Sequence, residues 1–177
     1  GPENLLVTVA NPDIETAQRL FKFPGIGLLV VTGGEFTGGG VVTDLISTAG
    51  LPKTILGIAG VDVGDKMIGE NFADVLHKAN PNRPNEAFAQ ISESRVGRAI
   101  RTADYAYSVY APGINGGAQP AADLYADDFF YDLKKDPYEL NNLVDDPAYT
   151  QVKQELRKKL LNWIRTAENA SPEIVDA

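Results

Sequence analysis

The 177-residue chain holds one histidine, His77, and no cysteine. Those two counts restrict its chemistry more than any motif does. No thiolate nucleophile, disulfide, thiolate metal site or catalytic group made by modifying a cysteine can arise. A Ser-His-Asp triad would have to use His77, and a multi-histidine metal site cannot be built within one chain. No Gly-x-Ser-x-Gly elbow supports a serine hydrolase. His77 stands beside Lys78 at the end of an expected short helix, residues 70–77, where the negative end of the helix dipole favours an imidazolium. Arg95, Arg98 and Arg101 crowd one short segment. Guanidinium forks suit sulfate or sugar oxyanions, and pairing with the surplus carboxylates is the plainer reading. Tyr105, Tyr107, Tyr110, Tyr125 and Tyr131 can stack on a sugar or simply bury their rings with wet hydroxyls. From Gly33 to Gly40, five of eight residues are glycine. This run has neither a P-loop ending nor Gly-x-Gly-x-x-Gly spacing, which favours a flexible turn over an anion cradle.

The elements that must carry these groups follow from periodicity. Residues 4–10 and 26–32 read as apolar strands, with Asn11-Pro12-Asp13 opening a helix between them. Strand, helix, strand over so short a span suggests a parallel βαβ unit. Residues 41–59 read as helical in two pieces, with Pro52 at the break and Gly60 just past the end. The Asn80–Asn85 stretch, with two prolines and no apolar residue, is the expected boundary between two subdomains, 3–79 and 80–177. Beyond it the period becomes two: strands at 87–91, 97–101, 105–110 and 128–133, the middle pair a hairpin closed by Thr102-Ala103-Asp104. Last, Val152, Leu156, Leu160, Trp163 and Ile164 form a helical stripe, predicting a helix over 147–168 that lies across the small sheet. Its other face carries Lys153, Arg157, Lys158 and Lys159, read as a solvated surface. The expected class is α/β (α+β): a remnant of a mixed or parallel sheet with helices, then a four-stranded antiparallel sheet packed by a long C-terminal helix.

Composition excludes several functions. Acids outnumber Lys and Arg by 24 to 16, giving a net charge of −8. A nucleic-acid binder needs a basic footprint, and none is present overall or locally. No apolar run approaches the roughly 20 residues of a membrane span. Gly1-Pro2 reads as a protease-cleavage scar. The compartment stays open.

The stretch from Tyr131 to Leu143 is the most informative. Physically it is a strand entering a capped turn of helix: Asp136 as cap, Pro137 in the first turn, Glu139 closing a capping box. Its pattern, Tyr-Asp-Leu-x-x-Asp-Pro-x-Glu-x-x-Asn-Leu, resembles the closing signature of the sulfatase family. Gly38–Val42, Asp44–Ser47 and Leu51–Gly60 resemble the segment after that family's central sheet, and Ser92–Thr102 with Tyr105–Ser108 is similar to its Arg-Thr hairpin. The likeness runs from about residue 26 to 165.

Such a resemblance implies a sulfuric ester hydrolase of the alkaline-phosphatase-like kind, with calcium and a sulfated small molecule or glycan as partners of the complete enzyme. The departures imply that this chain alone is inactive. The Cys/Ser-x-Pro/Ala-x-Arg motif that yields formylglycine is missing, and so is the metal-binding Asp-Asn pair. No catalytic residue carries over. His77, Arg95 and Arg98 are the candidate substrate contacts. The opening strand can be read two ways. It looks like the family's first strand, which would set Asn11 and Asp13 near the metal-ligand positions across a large deletion. Equally, it is an unrelated leader before a C-terminal sulfatase lobe. The alternative to an enzyme part is a non-catalytic binding or oligomerisation module, since a cut-down core should leave an apolar face open to a homo-oligomer.

Overall fold

The computed structural model describes residues 6–8, 30–32, 44–73 and 83–177. The chain forms two compact units, Gly1–Val42 and Thr43–Ala177, so the border falls well before the Asn80–Asn85 stretch. In the first unit, β1 (Leu6–Thr8) pairs with β2 (Val30–Thr32) antiparallel, Leu6 opposite Thr32. The parallel pairing expected of a βαβ unit is therefore corrected. β-Branched residues favour a ladder, but they carry no information about its direction.

The second unit begins with a turn at Thr48–Gly50 and the helix α1, Leu51–Ile58, with Pro52 in its first turn. Residues 44–47, expected to be helical, are not. Gly60 follows the helix at φ +77°, the left-handed stop foreseen for it. Thr54 is buried and fixes the next segment: its Oγ1 donates to Gly50 O at 2.8 Å and accepts from Phe72 N at 3.0 Å. A Cβ on Gly50 would sit 2.3 Å from Glu70 O, so only glycine lets these two backbones meet. Arg83 and Asn85 then tie back, Arg83 to Glu70 at 2.7 Å and Leu45 N to Asn85 Oδ1 at 2.6 Å.

The core is a sheet in the order β3 (Glu86–Ser92), β4 (Val96–Thr102), β5 (Tyr105–Tyr110), β6 (Leu124–Asp132), β7 (Glu173–Val175). The first four strands are antiparallel neighbours, as expected. The fifth, β7, adds to β6 in parallel and had no signal in the sequence. Three residues are too few to show a period, and a parallel partner needs no adjacent turn. The long helix α2 (Thr150–Glu168) lies over one face. Leu156, Leu160 and Ile164 bury against Val96, Ile100, Tyr107, Val109 and Phe130. Full burial of side chains of this size is worth roughly 1.5–3 kcal/mol each. Trp163 stacks on Phe88 with ring centroids 6.2 Å apart. The expected start at 147 is a 3-10 turn, Pro147–Tyr149, capped by Asp146, which accepts from Ala148 N at 2.9 Å. Asn169 ends the helix at φ +53°.

Candidate functional site

One irregularity decides where the chemistry-bearing side chains point. Along β6 the pairing skips from Phe129 (opposite Ser108) to Asp127 (opposite Val109), leaving Asp128 unpaired in the ladder. A single extra residue reverses the faces of the strand on its two sides. Asp127 and Phe130 consequently both face α2. Phe129 and Tyr131 stack on each other, ring centroids 5.9 Å apart, on the opposite face.

Asp127 is 1% exposed and surrounded by partners. Tyr107 Oη donates to Oδ1 at 2.5 Å, Arg157 Nη2 reaches both oxygens at 2.8 Å, and Lys153 Nζ lies 2.7 Å from Oδ2. Asp176, just beyond β7, adds a second carboxylate to Arg157 at 2.7 Å. The Arg157 guanidinium beside Asp176 holds that carboxyl below the usual range. Burial, and then the hydrogen bond to Asp127, push the Tyr107 phenol well above its ordinary value. The reading of Lys153 and Arg157 as a solvated face is thus corrected, while Lys158 and Lys159 are exposed as expected. Arg157 and Lys153 turn onto a buried acid, and Lys159 pairs with Glu86. No spacing rule flags Asp127, because a buried acid in a Tyr-Ala-Asp-Asp run looks like any polar strand position.

Arg98 is 2% exposed. Nε and Nη2 fork onto Glu168 at 2.6 and 2.9 Å, Nη1 donates to Gly97 O at 2.7 Å and Ile91 O at 3.3 Å, and Nη2 also reaches Pro120 O at 3.0 Å. A guanidinium has five N–H groups. All of them are committed here, to one carboxylate and three carbonyls. Arg95 differs: its side chain is 41% exposed, it bonds Asp128 at 2.8 Å, and its guanidinium carbon lies 4.7 Å from the centre of the Tyr110 ring. Arg101 pairs with Glu139 at 2.6 Å.

That last pair explains a second correction. Glu139 adopts φ +56° and gives its carboxylate to Arg101, so the capping box expected at 136–139 does not form. Asp136 instead accepts from Leu140 N and Asn141 N, both at 2.7 Å, in an irregular turn. The tyrosines divide as well. Tyr107 and Tyr125 are fully buried, while Tyr110 and Tyr131 are half-buried on the face away from α2, with Phe129. His77, Asn11 and Asp13 lie outside the described residues. Among the described residues, no group of three His, Asp or Glu side chains is arranged to hold a metal ion. No described helix is long and apolar enough to cross a membrane.

Residues 20–166 match a family model described as N-sulphoglucosamine sulphohydrolase, C-terminal. An ulvan-active sulfatase of Formosa agariphila is 26% identical over 148 residues, covering 80% of this chain and 25% of that enzyme. The solved structure of BT4656, in complex with its substrate D-glucosamine-2-N,6-O-disulfate, is similar at a TM-score of 0.54 and 24% identity, over 67% of this chain and 24% of that one. A different kind of relative also matches. The acetylating acetaldehyde dehydrogenase EutE of Salmonella typhimurium is 97% identical over 35 residues, 20% of this chain and 8% of that enzyme. The chain spans about a quarter of the length of the sulfatase it matches.

Proposed function

We propose, since this chain belongs to the N-sulphoglucosamine sulphohydrolase C-terminal family, that it is the closing lobe of a sulfuric ester hydrolase and has no turnover of its own. The observation that carries the reading is the family match over residues 20–166. It falls on a lobe in which Arg98, Asp127, Lys153, Arg157 and Glu168 are spent on holding the sheet and helix together. Sulfate ester cleavage in this family would need an activated nucleophile and a cation that helps to hold the sulfate group. The sequence holds no formylglycine motif, and the described residues supply no cation-binding cluster. Calcium belongs to the complete enzyme in this reading, with donors that this lobe's described residues do not provide.

The substrate class is a sulfated saccharide, in line with the ulvan-active relative and the glucosamine disulfate bound by the structural neighbour. Arg95 is the contact the geometry favours, a partly exposed guanidinium over the Tyr110 ring. His77 is a second contact, proposed from its residue type alone. Arg98 serves the scaffold. Incubating the full chain with 4-nitrophenyl sulfate and with a sulfated disaccharide, in calcium, should release no sulfate. Release that a chelator abolishes would overturn the claim of inactivity.

A second reading is an association module. It is favoured by the sheet face away from α2, where Ile91 and Phe129 are 45% and 40% exposed beside the small Ala89 and Ala99. Light scattering distinguishes the two. A concentration-independent monomer removes the second reading, and a dimer dissolved by Phe129→Lys supports it.

A further inference from the structure

We infer that this polypeptide joins two sequences of different descent: an opening stretch of about 35 residues shared with an acetylating acetaldehyde dehydrogenase, followed by the sulfatase-type lobe. Two identities in one chain cannot share a history. At 97% over 35 residues the dehydrogenase tract differs at about one position, whereas the lobe stands at 26% from its sulfatase relative. Convergence on a common fold does not reproduce side chains one by one. The first tract has therefore parted from its relative recently, and the second long ago.

Position follows from lengths. The sulfatase relative covers 80% of the chain and the dehydrogenase 20%, so by length neither match accounts for the whole chain. The dehydrogenase tract cannot lie at the C-terminus, because the family match runs to residue 166 and α2 supplies Leu156, Leu160 and Ile164 to the core. It cannot lie in the middle without splitting that match. It is the opening stretch. An opening tract of about 35 residues runs past residue 20, so it overlaps the first part of the family match, and the join falls no later than the border of the two compact units after Val42. The sheet topology agrees: β1 and β2 pair with each other, in a ladder separate from the five-stranded sheet.

The consequence concerns Asn11 and Asp13. On this assignment they sit in the dehydrogenase tract and are not the worn remains of a sulfatase metal pair. The likeness of residues 4–11 to the sulfatase opening strand is then a coincidence of short apolar strands.

The test uses the full chain and the single tryptophan, Trp163, which lies on α2 in the second unit and reports the unfolding of that unit by its fluorescence. The thermal midpoint is measured with and without calcium chloride for the parent, for Asn11→Ala/Asp13→Ala, and for Val31→Asp in β2. The inference expects the same Trp163 midpoint in all, to within about 1 °C, since a stabilising ligand or a lost core contact would move it by several degrees. A calcium-dependent rise that the double substitution abolishes would restore the metal-pair reading and overturn the inference. So would a fall of several degrees in Val31→Asp, which would make β2 part of the lobe's cooperative core. Sulfate release is a separate measurement, so failure of the proposed function and failure of this inference cannot be confused.

Discussion

Asp127 shows what a single residue can do in this lobe. It joins β6 to β5 through Tyr107 and to α2 through Arg157 and Lys153. Removing one partner of a buried ion pair leaves the others uncompensated, which typically costs about 3–5 kcal/mol. Asp176 remains to take part of that charge, so Asp127→Ala should cost about 3 kcal/mol by urea denaturation. Tyr107→Phe, which removes one hydrogen bond and keeps the ring, should cost about 1 kcal/mol. Equal losses in the two variants would contradict the central role of the carboxylate. Asp132 makes a pH-dependent case. Burial acts to raise its carboxyl, but hydrogen bonds from the Tyr149 hydroxyl and the Lys135 backbone outweigh that, and it titrates below the usual range. A depressed acid contributes its stability in full above the unfolded pKa of about 3.9 and loses it as pH falls through the folded value. Asp132→Asn should therefore be less stable than the parent at about pH 5.5, with the gap closing toward about pH 3. Urea midpoints at the two values check this, and a gap that stays constant would mean that the charge is irrelevant.

At the scale of elements, α2 is where sequence and structure agree best. The stripe of Val152, Leu156, Leu160 and Ile164 has the period of a helix, and that period alone states which face goes inward. Leu160 is fully buried, so Leu160→Ala should destabilise by about 2–5 kcal/mol, whereas exposed Lys158→Ala should stay within about 0.5 kcal/mol. Chemical denaturation of both variants measures the contrast. The four antiparallel strands were legible for the same reason, since alternation over six or seven residues is a strong pattern. What sequence could not convey was whatever depends on a distant partner. Arg157 reads as one more cation on a polar face until Asp127, 30 residues away, is brought beneath it. Glu139 reads as a capping acid until Arg101 claims it. The bulge at Asp128 is invisible because an Asp-Asp pair in a strand gives no hint of which acid is paired. Arg98 was legible as an oxyanion-capable residue, but its partner Glu168 lies 70 positions on, and that contact turns a candidate ligand group into a strut.

For the molecule as a whole, the aromatic residues provide a way to ask whether the lobe folds as one body. All seven tyrosines fall between positions 105 and 149, and the one tryptophan is at 163. Near-ultraviolet dichroism therefore reports the sheet and its loops, while fluorescence of Trp163 reports where α2 meets the edge strand β3, through Phe88 and through the indole N–H donated to Glu86 at 2.9 Å. These reporters sit at opposite margins of the core. Tyr125 pairs beside β7 at one edge, and Trp163 covers β3 at the other. If the buried stripe of α2 welds the five strands into one unit, both signals should lose half their amplitude at the same temperature, which is the standard sign of a two-state transition. Asp127→Ala should then lower both midpoints by the same amount, although the substituted residue is far closer to Tyr107 than to Trp163. The alternative is a lobe that frays from one edge. In that case the tryptophan midpoint would precede the tyrosine midpoint and would respond to Glu86→Gln but hardly to Asp127→Ala. Coincident curves with a common shift would show that the network at Asp127 and the aromatic stack at Phe88 belong to one cooperative core, as expected of a lobe whose helix contributes side chains along its whole length to a single sheet.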